Sequence, residues 1–206
     1  MQTTSDIIQQ LFSNQPAKSV TKGEVVIEPA DELADITYLE SGRVIQYRAD
    51  SRGNKSIVNV YRPGSFFPMG SALNHTPNRF YFAASQDSVV RTAPREEIVS
   101  ALIAEPAIAM DLLARVYRGI DGLLGRMSLL LSGTARERVM YELMTMADRF
   151  GEVADEGIMI SVTEDELGQH TGLTRETVSR SLSELARKDI LSRSGKGKIL
   201  LYRRTQ

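Results

Sequence analysis

Thr163-Glu164-Asp165-Glu166-Leu167-Gly168-Gln169-His170-Thr171-Gly172-Leu173-Thr174-Arg175-Glu176-Thr177-Val178-Ser179-Arg180 is the stretch from which the rest of the chain can be read. Thr163 and Glu166 have the spacing of a capping box, in which an N-cap hydroxyl and a carboxylate three residues on satisfy backbone N–H groups reciprocally. A short helix therefore starts there and runs to about His170. Thr171-Gly172-Leu173 supplies a tight turn, and Thr174 caps a second helix whose Val178, Leu182 and Leu185 form a buried face. This arrangement spells helix-turn-helix. The opposite face of the second helix carries Arg175, Glu176, Ser179 and Arg180 in its first two turns, the part of a recognition helix that enters a major groove. Arg can donate two hydrogen bonds to guanine and Glu can accept one from the cytosine amino group, so a G·C-containing half-site is expected.

Paired short helices also serve as a plain packing unit, and a charged helix face is commonly only solvated. The sequence downstream separates these readings. Ile190 to Arg193 and Lys198 to Tyr202 read as a β-hairpin around a basic, Gly-rich tip, Ser194-Gly195-Lys196-Gly197. Such a wing can place Arg193, Lys196 and Lys198 on phosphates, which position a protein without reading bases. Thr174 and Ser179 are expected to support phosphate contacts as well. Residues 174–206 hold nine Lys/Arg and three Asp/Glu, a net of +6, while residues 1–173 hold 16 and 23, a net of −7. Over all 206 residues the two signs nearly cancel, to −1, so the basic patch is local and hidden by averaging.

Upstream, Pro106 opens a helix that continues to about Ser132. Leu113, Val116, Ile120, Leu123, Met127 and Leu130 are spaced 3, 4, 3, 4, 3 along it, which is a heptad seam suited to a second copy of the helix. Leu112, Leu124 and Leu131 widen the stripe, so the helix can serve its own core and a partner together. Pro94 starts an earlier helix carrying Ile98 and Leu102, and residues 5–13 place Ile7, Ile8, Leu11 and Phe12 on one helical face. Between them, from Thr21 to Val90, the texture is short β-type runs punctuated by turns, as in a sandwich or barrel. Ser41-Gly42 reads as a turn between strands, and Asp50 to Asn54 as a hairpin loop.

The chain has no cysteine, which removes disulfides, thiolate nucleophiles and cysteine-ligated iron–sulfur or zinc sites. Its two histidines, His75 and His170, are far apart in sequence and leave little for a histidine-rich metal centre. The start has no basic run before a long apolar block, and nowhere do about 20 apolar residues follow one another, so a cytoplasmic protein without a membrane span is expected.

The run Leu167 to Arg180, with its Arg-Glu-Thr-Val-x-Arg core, closely resembles the DNA-binding element of the CRP/FNR family of bacterial transcription regulators. Lys22-Gly23-Glu24, Tyr38 to Val44, Pro63-Gly64-Ser65-Phe66 and the long helix resemble that family too. The resemblance implies an α+β protein with a cyclic-nucleotide-binding-type β-roll (a jelly roll) over 1–105 and a dimerisation helix over 106–133. A winged helix-turn-helix over 134–206 would complete it. It also implies a homodimer on double-stranded DNA with inverted-repeat half-sites containing TGA, in the form GTGA, and contact with RNA polymerase. Cyclic-AMP-binding members hold the ribose with a Glu and the phosphate with an Arg followed by a hydroxyl residue. Counting without gaps from Gly64 puts Met69 at the Glu position, Arg79 at the Arg and Phe80 at the hydroxyl residue. A thioether cannot accept the ribose protons as a carboxylate does, and a phenyl ring fills space near the phosphate. Cyclic AMP, an iron–sulfur cluster and haem are therefore not expected, and Met69, Arg79 and Phe80 mark the place of an effector pocket for an unknown ligand or none. Phe66, Phe67, Phe80, Tyr81 and Phe82 could line it or pack the core.

Two other functions compete. A metal-dependent β-roll enzyme needs clustered His and carboxylate ligands, where the β region offers His75 alone. A small-ligand signalling module could use its helix-turn-helix as a protein contact. Steep salt dependence of DNA binding would distinguish that case.

Overall fold

The computed structural model describes residues 4–30, 34–195 and 197–203. The chain divides into two compact units, Met1–Arg118 and Gly119–Gln206, with the division falling inside one long helix. The expected boundaries at 105/106 and 133/134 place that whole helix apart, whereas its two halves belong to different units.

The first unit contains helix α1 (Thr4–Ser13) and strands β1 (Ala17–Val20), β2 (Val25–Ile27), β3 (Asp35–Ala49), β4 (Lys55–Tyr61) and β5 (Phe66–Phe67). Helix α2 (Met69–Asn74), strand β6 (Tyr81–Pro94), helix α3 (Arg95–Ala104) and the start of α4 (Pro106–Ser132) follow. The sheet is antiparallel in the order β1-β6-β3-β4, with β2 on β6 and β5 on β3. Ile8 and Phe12 of α1, Ile98 and Leu102 of α3, and Ile108 of α4 close one core together with Ile36 and Tyr38. Val20, Leu39, Val44, Phe67, Phe82 and Val90 make a second, in which the Phe67 and Phe82 rings stack at 5.1 Å.

Ser41-Gly42 is not a turn between strands. β3 runs through it, and its register against β6 shifts three times between Leu39 and Val44. Gly42 has φ +91°, and a Cβ there would lie 2.2 Å from Ser88 Oγ, so the bend needs glycine on both conformational and steric grounds. Ser88 Oγ accepts from the Arg43 N–H at 3.0 Å and donates to the Gln86 carbonyl at 2.7 Å, tying the bulge together. The Asp50 to Asn54 loop is a hairpin turn as read, with the Asp50 carboxylate accepting from the backbone N–H groups of Arg52 and Asn54.

The three residues assigned to an effector pocket are distributed differently. Met69 is buried in the first core at the start of α2, and Phe80 flanks the second. Arg79 is exposed and lies in the loop before β6. Next to it, buried Asn78 donates to the carbonyls of Glu28 and Phe80 and accepts from the Phe80 N–H, which fixes the loop without Arg79. Of the five aromatic residues, Phe66, Phe67 and Phe82 are buried in the cores, and Tyr81 stacks on Tyr47 at 5.1 Å.

In the second unit α4 is followed by α5 (Ala135–Phe150), β7 (Glu152–Ala154), β8 (Gly157–Ser161), α6 (Glu164–Thr171), α7 (Arg175–Ala186), β9 (Leu191–Arg193) and β10 (Lys198–Tyr202). The sheet order is β7-β8-β10-β9, all antiparallel. Val139 and Leu143 of α5, Leu167 of α6, and Val178, Leu182 and Leu185 of α7 pack on Ile160, Leu191 and Ile199 of the sheet. β7 has no signature in the sequence, because three residues with no apolar alternation read as a polar break.

Along α4, Ile108 is fully buried and Leu112 packs against the first core. Leu113, Val116, Ile120, Leu123, Met127 and Leu130 are 40–53% exposed, an apolar row that the isolated chain leaves uncovered. Leu124 and Leu131 are exposed as well. No described helix is long and apolar enough to cross a membrane.

Candidate nucleic-acid interface

Helix α6 begins with the capping box read from the sequence. The Thr163 hydroxyl accepts from the Glu166 N–H at 3.2 Å, and the Glu166 carboxylate accepts from the Thr163 N–H at 2.8 Å. It ends at Gly172, whose φ of +68° lets its N–H close on the Gly168 carbonyl at 2.9 Å. Gly168 must itself be small, since a Cβ would lie 2.8 Å from the Leu173 carbonyl oxygen across the turn. Thr174 then caps α7 by accepting from the Thr177 N–H at 3.3 Å. Val178, Ser181, Leu182 and Leu185 are buried beneath α7, which leaves its other face outward.

Arg175, Glu176 and Arg180 are exposed on that outward face, and Ser179 is half-buried at its edge. The Thr174 hydroxyl is engaged in capping and lies 3.1 Å from the Thr177 hydroxyl, to which Arg180 donates at 3.3 Å. Glu176 is held below the usual carboxylate range by its own backbone N–H, the Thr174 hydroxyl and the nearby Arg175 and Arg180 charges. It is therefore an ionised acceptor at neutral pH, as contact with a cytosine amino group requires. Arg193 and Lys198 are exposed at the two sides of the wing. Its turn is closed by the Ser194 N–H on the Lys198 carbonyl at 2.9 Å and uses positive φ at Gly195 and Gly197. Lys196 lies outside the described residues.

The residue that sequence reading missed is Glu164. It reads as one more acidic group in the first turn of α6, yet its carboxylate accepts from Arg175 Nε at 3.3 Å and pairs with Arg193 from the wing. Ser179 is half-buried beside it on α7. Burial pushes the Glu164 carboxyl up, but Ser179, Arg175 and Arg193 outweigh this and hold it low.

Behind the helices lies a buried ionic group. Glu142 of α5 is 3% exposed and takes Arg126 Nη2 of α4 at 3.0 Å, while His170 Nδ1 of α6 lies 3.2 Å from its other oxygen. The imidazole is not aligned for a directed hydrogen bond, so proximity and charge carry that contact. Tyr141 donates to the Gly122 carbonyl at 3.0 Å, and Arg138 donates to the Leu129 and Leu130 carbonyls, so α4 is fastened to α5 at several points. Among the described residues no three His, Cys, Asp or Glu side chains gather so as to hold a metal ion.

Residues 17–105 match the cyclic nucleotide-binding domain and residues 137–206 the Crp-like helix-turn-helix domain. The transcriptional regulator SdrP of Thermus thermophilus is 31% identical over 186 residues, which is 89% of this chain and 88% of that protein. The chain belongs to the CRP/FNR family. The structure of FixK2 from Bradyrhizobium japonicum superimposes with a TM-score of 0.74 at 31% identity, covering 92% of this CRP/FNR chain and 93% of FixK2. A mutant of CooA from Carboxydothermus hydrogenoformans shares the fold, with a TM-score of 0.79 at 21% identity over 93% of this chain and 85% of its own. Like its family, this CRP/FNR chain is a transcription regulator with a helix-turn-helix DNA-binding domain. CRP/FNR regulators bind DNA and function as dimers, and the family is not one of enzymes.

Proposed function

We propose that this regulator binds an inverted-repeat operator as a homodimer, with 1–105 as a sensor-like β-roll, 106–133 as the dimerisation helix and 134–206 as the DNA-binding domain. The observation that carries the reading is the outward face of α7. It is polar and charged from Arg175 to Arg180, while Val178, Ser181, Leu182 and Leu185 are packed beneath it. Two such helices related by a two-fold axis enter successive major grooves about 34 Å apart. Arg175 and Arg180 donate to guanine, and Glu176 accepts from the opposite-strand cytosine, in half-sites containing TGA and written GTGA. Arg193, Lys196 and Lys198 follow phosphates, while Thr174 and Ser179 mainly support phosphate contacts. The exposed row on α4 supplies the dimer seam, through Leu113, Val116, Ile120, Leu123, Met127 and Leu130. Cyclic AMP, haem and an iron–sulfur cluster are not its cofactors, and a cytoplasmic site of action with contact to RNA polymerase completes the reading.

Binding-site selection on random DNA tests it, using the wild type, Arg175→Ala and Lys198→Ala. Arg175→Ala should cost about 1–3 kcal/mol and relax preference at one base pair of each half-site, while Lys198→Ala should weaken all sequences alike. Recovery of no symmetric motif, or an Arg175→Ala protein with every preference intact, would refute the assignment.

A further inference from the structure

We propose that Glu164 sets the sequence specificity of the DNA interface. Its carboxylate holds Arg175 by the inner nitrogen so that the outer two meet a guanine edge, and it keeps Arg193 from indiscriminate phosphate contact. The inference rests on Arg175 reading guanine. What it adds is a positioning residue on another helix that makes the reading selective.

The geometry divides the work between the two carboxylate oxygens. Oε2 takes Arg175 Nε at 3.3 Å, and Oε1 takes Arg193 Nη2 from the wing. The carboxylate thus spans recognition helix and wing, joining residues 11 and 29 positions away in sequence. Arg175 Nη1 and Nη2 make no hydrogen bond to protein among the described residues, and they are the pair whose spacing fits O6 and N7 of guanine. Glu164 itself is 17% exposed, whereas Arg175 is 64% exposed, so the anchor sits below the surface and the reading end projects from it.

Guanine and phosphate make different demands on this cluster. Meeting a guanine uses the outer nitrogens and leaves the Nε bond in place. Following a phosphate that lies away from the guanine position pulls Arg175 off the carboxylate and brings a second anion toward it. Exposed ion pairs are weak, so DNA can break them, but the cost falls on the contacts that carry no sequence information. Two cations tied to one anion also present less net charge to a non-operator duplex.

The test measures the intact full-length protein against its selected operator and against a scrambled duplex of equal length, over a range of salt. Glu164→Gln keeps the shape and removes the charge. Asp165→Asn removes the same charge one residue along, from a side chain with no arginine contact among the described residues. Glu164→Gln should lower the operator-to-scrambled affinity ratio roughly tenfold over the two half-sites, because part of each bidentate discrimination is lost. Most of that change should come from tighter scrambled binding, whose log–log salt slope should steepen by about 0.9 for each phosphate newly engaged. Asp165→Asn should leave the ratio within about twofold, as a charge change without contact does, and Glu164→Asp should restore part of what Gln loses. If Glu164→Gln and Asp165→Asn behave alike, or if operator and scrambled affinities move together, the proposal is overturned. Arg175→Ala, measured in parallel, distinguishes the failures. Relaxed preference there with an unmoved ratio in Glu164→Gln overturns the role of Glu164 alone, and intact preference there overturns the base-reading assignment and this inference with it.

Discussion

Replacing Glu142 with Gln removes one negative charge from the interior of the DNA-binding unit and leaves nearly the same volume. In the wild type that carboxylate takes Arg126 at 3.0 Å and faces His170 at 3.2 Å, with Glu142 itself 3% exposed and the Arg126 side chain 20%. Removing one partner of a buried ion pair costs about 3–5 kcal/mol; an acceptor oxygen remains in Gln and Arg126 reaches water at the rim, so about 2–3 kcal/mol is expected. With a urea dependence of about 2 kcal/mol/M, typical of a small domain, the unfolding midpoint should fall by about 1–1.5 M. Far-UV circular dichroism reports this through the helices of the unit. A second arm uses pH. Burial alone would raise the Glu142 carboxyl, but the close approach of His170 and then the charge and hydrogen bonds of Arg126 hold it below the ordinary glutamate value. A depressed folded value means the stabilisation is complete above the unfolded value of about 4.3 and drains away as pH falls through the folded one. The wild type should therefore lose stability on the acid side, and Glu142→Gln should lose less of it there. Arg126→Met combined with Glu142→Leu should be less damaging than either change alone, since no charge is left unpaired. A loss below about 0.5 kcal/mol at pH 7, within the range of an ordinary surface substitution, would refute the reasoning, as would an unaltered acid limb.

Ile120→Lys together with Leu123→Lys places charges in the exposed row of α4 and should yield monomers, and light scattering that still finds dimers would remove the seam from the account. Gly42→Ala forces a Cβ to 2.2 Å from Ser88 Oγ at φ +91° and should cost at least about 2 kcal/mol. Gly53→Ala, at φ +82° with nothing within 4 Å, should cost only the backbone strain of about 1 kcal/mol, and thermal unfolding of the two variants compares them. Calorimetry with cyclic AMP should show no saturable micromolar isotherm, because Met69 is part of the core and Arg79 points from a loop held by Asn78.

What the sequence determined by itself is local. The capping box of α6, the Gly172 turn, the apolar spacing of α7 and the apolar row of α4 each involve residues within a few positions of one another, and hydrogen-bond stereochemistry and helical period act at that range. The segregation of positive charge into residues 174–206 is likewise a property of order along the chain. Tertiary structure decided whatever depends on which side chains meet across long separations. Glu164 became the shared partner of Arg175 and Arg193 only because packing of α6 on α7 and folding of the wing deliver both guanidinium groups to one carboxylate. Gly42 reads as a turn until Ser88, 46 residues away, is laid against it, and His170 reads as isolated until α5 brings Glu142 to its ring. Such contacts carry no periodic trace, because an ion pair or a steric limit constrains two positions in space and leaves the residues between them free.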